Sequence, residues 1–445
     1  MKRRRIAQGG TLLLFAATIT WAQTASRGPR AAVAPRFAVD PMWPMPMPNH
    51  WILGSVVGVA VDARDHVFVV NLTDSFNART ESGSGTNPKT GECCTPAPNV
   101  VEYDAAGAVV GSIGSAVAGA AYEWPEINHG VAVDGQGNLW IGGMGGADSR
   151  ILKLAPDGRL IAQFGKAGGN PGGAPGAGAG AARSLDTAYA GVSPGRGGAA
   201  GRAGVGGGGR GGRRTTPPLP PNSGSLDAFG GPAGFSFDDK ANEAYVADGY
   251  RNHRVAVIDM TTGAVKRIWG AYGAKPSDAP AGAYDPKAQP SRQFGNPVRC
   301  ARLSSDGLVY VCDTENDRIQ VFRKDGSFVK EKLIAPATRG TGSVWDVTFS
   351  RDPGQKYLYV ADGMNMKVHV LDRETLSELT SFGDGGRQPG QFYAVHSIAT
   401  DSKGNVYTAE TFEGKRVQKF NYKGVGSVTA LDQGVVWPAA ARMKP

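Results

Sequence analysis

The sequence predicts an all-β fold, a six-bladed β-propeller with four antiparallel strands per blade. A short segment of alternating apolar residues occurs six times along the 445-residue chain. Each copy is followed by a turn containing Gly, Asn or Asp and by further strand-like segments. The copies recur every 43 to 51 residues once three insertions are set aside. A period of about 40–50 residues with four strands per unit is typical of propeller blades.

The innermost strand of each blade is the most regular of the four. Second strands such as NLWIGG and YLYVAD, third strands such as RVAVID and outer strands such as RLIAQFG follow it. A four-stranded sheet cannot bury both of its faces alone, so the six sheets are expected to stack around a central channel. The predicted inner strands are GVAVD (58–62), GVAVD (130–134), GFSFD (234–238), CARLS (300–304), DVTFS (346–350) and SIATD (397–401).

The last blade offers two ways to close the ring. The segment FAVD at 37–40 can add to it as an outer strand, or VGSVTAL at 425–431 can complete it without help from the N-terminus. The sequence favours the first arrangement and leaves the second open. The propeller is assigned to residues 37–431.

Three insertions interrupt the repeat, at 73–98, 166–226 and 271–293. By position they are a second-to-third-strand loop and two connections between blades, so all three are expected at the channel mouth where the inner strands begin. Long loops on a rigid scaffold often carry binding sites. Residues 166–226 consist mainly of Gly, Ala, Pro and Arg, and this composition predicts disorder.

The formal net charge of +9 is confined to segments outside the blades. The first 36 residues carry +7 and residues 166–226 carry +6, which leaves −4 for the remainder. A slightly acidic folded part is not typical of a nucleic-acid-binding surface, and no nucleic-acid partner is predicted.

Residues 1–22 have the features of a signal peptide. The basic start MKRRR precedes the apolar stretch TLLLFAATITWA, which is too short to span a bilayer. We therefore expect a secreted or periplasmic protein without a transmembrane segment. A flexible basic segment at 23–36 and a C-terminal tail at 432–445 flank the predicted propeller.

Four cysteines fit an oxidising compartment. If Ser304 pairs with Leu308, the hairpin register places Cys300 directly opposite Cys312, close to disulfide range. A disulfide and two buried thiols remain equally open there. The neighbouring Cys93 and Cys94 either form an adjacent disulfide or tie down their loop.

The position immediately before each inner strand carries the candidate site. Its polar occupants fall on blades 2, 4 and 6, so their side chains are expected to converge on the channel axis. Two of the chain's six histidines share this position. The six occupants are Val57, His129, Ala233, Arg299, Trp345 and His396.

This set of residues allows two kinds of chemistry. His129 and His396 can bind a metal such as zinc if Glu126, Glu410 or water completes the site, because arginine does not ligate metals. Alternatively, Arg299 flanked by the histidines suits an anionic group, since its planar fork grips a carboxylate. A third interpretation is purely structural: the two histidines only form hydrogen bonds at a polar channel mouth.

Further residues are predicted near the same mouth. Tyr250, in DGYRNHR, is a candidate proton donor or acceptor, or an amphipathic rim residue, and His253 lies close to it in sequence. Trp345 and Asp346 on blade 5 add an aromatic wall or belong to the core.

Three local motifs carry a family resemblance. HGVAVDGQGNLWI from His129, VADGYRNHRV from Val246 and VHSIATDSKGNVY from Val395 resemble NHL-repeat propellers. More narrowly, they resemble the catalytic domain of peptidyl-α-hydroxyglycine α-amidating lyase and related exported bacterial NHL proteins. The resemblance spans about residues 50–425.

The resemblance implies a zinc lyase with altered residues. His129 and His396 match two of the three zinc histidines, and Tyr250 matches the catalytic tyrosine. Arg299 stands at the third zinc position and Leu72 near the catalytic arginine. Where the family has a calcium-associated acid and a cysteine, this chain has Ser397 and Arg251, so calcium is not expected.

Two functions therefore remain open. The favoured one is a propeller that binds a small-molecule or peptide ligand, or a protein partner, at the channel mouth, or that has a changed activity. The other is a zinc-dependent lyase acting on a small peptide-like or hydroxy-acid substrate, with His129 and His396 as ligands and Tyr250 and Arg299 as catalytic residues. The oligomeric state is not predicted.

Overall fold

The computed structural model describes residues 32–428, except 78–79, 82, 84–88, 115–121, 167–218 and 281. The predicted signal peptide, most of the Gly- and Arg-rich insertion and the C-terminal tail lie outside the described residues. No helix in the described part is long and apolar enough to cross a membrane.

The described chain folds into six four-stranded antiparallel sheets, which confirms the predicted six-bladed propeller. Blade 1 contains β3 (Ser55–Val61), β4 (Val67–Leu72), β6 (Val100–Tyr103) and β7 (Val109–Ile113). Blade 2 contains β8 (Asn128–Val133), β9 (Leu139–Gly143), β10 (Ile151–Leu154) and β11 (Leu160–Phe164). Blade 3 contains β12 (Pro232–Asp238), β13 (Glu243–Asp248), β14 (Arg254–Asp259) and β15 (Val265–Trp269).

The remaining blades follow the same order from the channel outwards. Blade 4 contains β16 (Val298–Leu303), β17 (Leu308–Asp313), β18 (Arg318–Arg323) and β19 (Phe328–Leu333). Blade 5 contains β20 (Asp346–Phe349), β21 (Tyr357–Asp362), β22 (Lys367–Asp372) and β23 (Glu378–Phe382). Blade 6 contains β24 (Val395–Thr400), β25 (Val406–Glu410), β26 (Arg416–Val428) and β1 (Ala32–Asp40). Two short strands, β2 (Trp51–Ile52) and β5 (Thr95–Pro96), pair in parallel outside the blades, and Ala271–Gly273 form a 3₁₀ turn.

The N-terminal strand closes the ring. β1 pairs antiparallel with β26, and Phe37 lies opposite Tyr422. β1 begins at Ala32, earlier than the predicted start at Phe37. The segment proposed as an independent closing strand is instead the end of β26, where Val428 pairs with Ala32. Closure therefore joins the two ends of the described chain in one sheet.

Apolar packing between neighbouring blades holds the ring together. Each of the six blade-to-blade interfaces in the described structure has its own buried hydrophobic cluster. Between blades 6 and 1, Tyr407 and Val417 pack with Val59 and Val69. Burial of apolar surface contributes about 25 cal/mol per Å², so no blade can leave the ring without exposing two such clusters.

Both cysteine pairs are disulfides. Cys300 lies opposite Cys312 in the β16–β17 pair, in the register expected from Ser304 and Leu308. Cys93 and Cys94 are bridged to each other. The hairpin register inferred from the sequence is confirmed.

The inner strands define two ends of the channel. We call the end where they begin the upper end and the end where they finish the lower end. Described parts of two insertions meet at the upper end, where the Ser223 backbone N–H donates to Asp278 at 2.9 Å. The Tyr284 hydroxyl, in the second of these insertions, donates to the Pro336 carbonyl in the connection between blades 4 and 5 at 2.8 Å.

Candidate functional site

The three polar residues predicted to converge lie together at the upper end. His129, Arg299 and His396 line one cavity, and the two imidazole rings are edge to face with centroids 4.8 Å apart. All three residues are buried, with 2, 3 and 4% exposure. The cluster therefore lies below the mouth rather than open on its rim.

Two hydrogen bonds fix the state of His129. Its Nδ1 lies 3.0 Å from the Ala233 carbonyl oxygen, and its Nε2 lies 2.6 Å from the Tyr250 hydroxyl. Because a carbonyl only accepts, Nδ1 carries the proton and Nε2 accepts from Tyr250. Tyr250 reaches this position from the β13–β14 loop of the neighbouring blade.

His396 occupies the equivalent position on blade 6. The Val57 backbone, on the next blade, interacts with its ring as Ala233 does with His129, but more weakly, since Nδ1 of His396 makes no hydrogen bond within the described residues. The two histidines are thus related by the pseudo-symmetry of the ring, and only His129 is locked by two partners.

Both imidazoles are neutral at physiological pH. Burial, reinforced by the positive charge of Arg299, lowers the pKa of His129 to about 3. The same two causes, together with His129, hold the pKa of His396 well below its usual range. The formal charge among the three residues therefore resides on Arg299.

An aromatic wall supports the guanidinium. Arg299 Cζ lies 4.0 Å from the centre of the Trp345 ring, a cation–π contact, and the same ring packs edge to face on His396 at 5.5 Å. The Trp345 indole N–H donates to the Gly342 carbonyl at 2.7 Å. Trp345 is thus both the predicted wall and part of the buried core.

The space at this cluster is small. The cavity has a volume of about 10 Å³, which is room for about one water molecule. Glu126 and His253 do not line it. Glu126 lies beside Asp148, to which its backbone N–H donates at 2.8 Å, and burial lowers the pKa of His253 in a setting that contains Asp313.

An ionic plug closes the channel directly below the cluster. We define it by Arg302, Asp346 and Ser397, from three successive blades. Arg302 donates to both carboxylate oxygens of Asp346 at 2.8–3.1 Å, and Ser397 donates to the same carboxylate at 2.9 Å. The predicted binding residue Asp346 thus forms part of the floor of the site.

The plug extends into the backbone of three blades. Asp346 also accepts from the Ile398 and Val347 N–H groups at 3.2 and 2.9 Å, and Arg302 donates to the Phe235 carbonyl at 3.0 Å. These bonds involve residues of blades 3, 4, 5 and 6. The upper cavity therefore has a rigid base.

Arg302 is the site residue that the sequence prediction missed. The third position of the inner strand holds Ala60, Ala132, Ser236, Thr348 and Ala399 in the other blades. A single large charged side chain among five small ones was a readable signal. The predicted site involves only the position before each strand, which does not include Arg302.

The residues present do not make a complete zinc site. His129 and His396 supply two imidazoles, but the third position holds a guanidinium, which repels cations and cannot ligate a metal. Nε2 of His129 is engaged by Tyr250. Arg251 donates to the carbonyls of Gly145 and Gly146 at 3.0 and 2.9 Å and so has a structural role.

Comparison with known proteins identifies one repeat. The NHL repeat model matches residues 294–322, which include β16 and β17 of blade 4. No curated protein matches the chain. Among solved structures, a streptogramin B lyase is similar with a TM-score of 0.43 and 12% identity, covering 87% of this chain and 98% of that one.

Proposed function

We propose that this chain is an exported binding propeller that holds the anionic group of a small ligand at the upper end of its channel. Arg299 is the principal contact, and Tyr250, His129 and His396 complete the site. The observation that carries the proposal is a guanidinium, 3% exposed, at the level of two neutral imidazoles. Export is supported by the N-terminal sequence pattern and by two disulfides.

Electrostatics favour an anion over a cation at this site. The only formal charge in the histidine–arginine cluster is positive, and burial strengthens its field because there is little water to screen it. A guanidinium can donate two parallel hydrogen bonds to a carboxylate. The neutral imidazoles can donate or accept further hydrogen bonds without adding charge.

The dimensions limit how much of the ligand enters. A cavity of about 10 Å³ takes a single oxygen-sized group, so the rest of the ligand lies above it under the insertion loops. Tyr250 is half-buried and hydrogen-bonded to His129 at 2.6 Å, and these two observations support a position at the entrance. Displacement of its hydroxyl would give a carboxylate access to Arg299.

Titration calorimetry with glycolate, a small hydroxy acid, tests the proposal. We expect binding to wild type and at least tenfold weaker binding to Arg299→Met, which keeps the aliphatic stem and removes the charge. The matched control is Arg339→Met, an exposed arginine in the connection between blades 4 and 5. Equal affinity of all three proteins, or no binding to wild type, would exclude this function.

A metal-dependent lyase of the amidating type is the second candidate. One observation favours it: His129 donates Nδ1–H to a backbone carbonyl, as metal-binding histidines commonly do, and His396 lies 4.8 Å away. Elemental analysis of purified wild type, His129→Ala and His396→Ala separates the two functions. The binding function predicts less than stoichiometric zinc in all three, whereas one zinc per chain in wild type, lost in both variants, would favour the lyase.

A further inference from the structure

A second and larger cavity occupies the lower end of the channel. Its volume is about 510 Å³, within the range of about 300–1,000 Å³ typical of small-molecule sites. It is lined by the final residues of all six inner strands, and Arg302 of the plug forms its inner end. The plug therefore makes the lower channel a pocket with one opening.

The size of this cavity follows from the inner-strand sequences. At the third position of the strand five blades carry Ala, Ser or Thr, which leave the space next to Arg302 open. At the fourth position, nearer the opening, five of the six residues are larger and form an apolar collar, and the sixth is Thr400. The collar residues are Val61, Val133, Phe237, Leu303 and Phe349.

The charges in the cavity are balanced locally. Its buried and half-buried ions are each held in an ion pair: Asp62–Arg64 at 2.8 Å, Asp134–Lys153 at 3.2 Å and Arg302–Asp346 at 2.8 Å. At the rim, exposed Asp239 and Arg351 carry opposite charges. A cavity with this balance does not favour a ligand of either charge.

Polar groups near the inner end can form directional hydrogen bonds. The Thr348 and Thr400 hydroxyls lie 3.4 Å apart, and both residues line the cavity. The Arg302 side chain is 20% exposed and makes three hydrogen bonds to Asp346 and one to the Phe235 carbonyl. The Thr348 hydroxyl and the Arg302 guanidinium thus lie beyond the collar of apolar side chains, and the Thr400 hydroxyl lies at its level.

We propose that the lower cavity binds an uncharged, sugar-like molecule of about monosaccharide to disaccharide size. Such a molecule offers hydroxyl groups to Thr348 and Arg302 and a carbon–hydrogen face to Phe237 and Phe349. Its neutrality matches the internally paired ions. This site is separate from the proposed anion site, because the plug lies between them.

Ligand-observed saturation-transfer NMR tests this site with glucose, N-acetylglucosamine and maltose, and with benzoate and choline as charged probes. We expect saturation transfer to at least one sugar and none to choline. Transfer to benzoate, whose carboxylate suits the proposed upper site, should be the same in wild type and in Ala63→Phe. Ala63→Phe, which adds bulk at an exposed residue lining the opening, and Thr348→Val, which removes a hydroxyl and keeps the shape, are each expected to weaken sugar binding at least fivefold.

Two controls make the result specific. Ala106→Phe places the same bulk at an exposed turn of the same blade outside the cavity and should leave sugar binding unchanged. Arg299→Met should also leave it unchanged, so that failure of one site is distinguishable from failure of the other. The sugar proposal is overturned if no sugar shows saturation transfer, if Ala63→Phe binds sugar like wild type, or if Ala63→Phe abolishes binding of benzoate or choline instead.

Discussion

The upper and lower ends of the channel are formed by the same six strands but differ in what they contain. At the upper end, ionisable and aromatic side chains fill the space to about 10 Å³, and His129, Arg299, Trp345 and His396 among them are buried. At the lower end, small side chains leave about 510 Å³ open to solvent. The ionic plug of Arg302, Asp346 and Ser397 separates the two.

This difference shows how a repeat can carry two kinds of site. A residue at one position of the inner strand appears around the channel at a fixed level, so each level is a ring of six side chains. The ring before the strand carries charge and hydrogen bonding, whereas the third ring carries mostly small residues. The exception in the third ring, Arg302, forms the boundary.

Asp346→Ala is expected to cause the largest decrease in the free energy of unfolding, because it removes the central acceptor of the ionic plug between the two ends of the channel. It leaves the Arg302 guanidinium, the Ser397 hydroxyl and the Ile398 N–H without their shared acceptor. Loss of one partner of a buried ion pair costs about 3–5 kcal/mol. Denaturant unfolding measures this change in the free energy of unfolding.

The control for this prediction is the exposed pair Lys166–Asp227, whose side chains are 75 and 57% exposed. Asp227→Ala should cost less than about 1 kcal/mol. If both substitutions lower the free energy of unfolding by the same small amount, the ionic plug does not stabilise the fold.

Removing the Cys300–Cys312 disulfide tests whether the upper end depends on a covalent link. The bridge joins two strands of blade 4 next to Arg299, with a sequence separation of 12. The double substitution to Ala should lower the free energy of unfolding by about 3 kcal/mol, since the unfolded chain gains freedom. The corresponding change at Cys93 and Cys94 should cost under about 1 kcal/mol, because bridging adjacent residues restricts the chain little. Equal effects of the two would contradict this chain-entropy argument.

The pKa values of His129, in the channel, and His369, outside it, predict opposite dependences of protein stability on pH. The pKa of His129 is lowered to about 3 by burial and by Arg299, so its contribution to stability is present above pH 6.5 and is lost as the pH falls, by about 2 kcal/mol at pH 5. For His369, burial opposes the charge, but Asp362 and Glu378 outweigh it and raise the pKa to about 9. Its contribution is present below pH 6.5 and is lost as the pH rises to about 9.

Unfolding measured at pH 5, 7.5 and 9.5 checks both signs. His129→Gln should flatten the acidic side of the stability profile and leave the alkaline side unchanged, whereas His369→Gln should do the reverse. A profile in which both variants change the same side would show that one of the two assigned protonation states is wrong.

The fold could be read from the sequence because it depends on a local, repeated pattern. The alternation in GVAVD and its five copies specifies an inner strand at each occurrence, and the hairpin register at Cys300 follows from the turn after Ser304. Closure was harder to predict, since β1 and β26 are distant in sequence and either end of the chain could supply the last strand.

The site could be predicted in part. The positions of His129, Arg299 and His396 followed from counting strands, because the ring geometry brings equivalent positions together. Their burial did not follow, since it depends on Trp345 and on the loop that carries Tyr250. The lower cavity was not predicted either, because it depends on small side chains at the third position and on the plug, and these form no recognisable sequence motif.

Tyr250→Phe is the mildest test, and it concerns the entrance of the upper end alone. Removing the hydroxyl deletes one hydrogen bond to Nε2 of His129, a bond that links blades 2 and 3. The net contribution of such a bond is about 1 kcal/mol, so a decrease of that size in the free energy of unfolding is expected at pH 7.5. Tyr422→Phe, at a residue 37% exposed on blade 6, is the matched control and should change stability by less than about 0.5 kcal/mol. The ¹⁵N chemical shift of His129 Nε2 should move in Tyr250→Phe and stay in Tyr422→Phe, because only the first change removes its donor. An unmoved shift in both variants would mean that Tyr250 does not close the upper cavity, and the entrance would then have to be sought among the insertion loops.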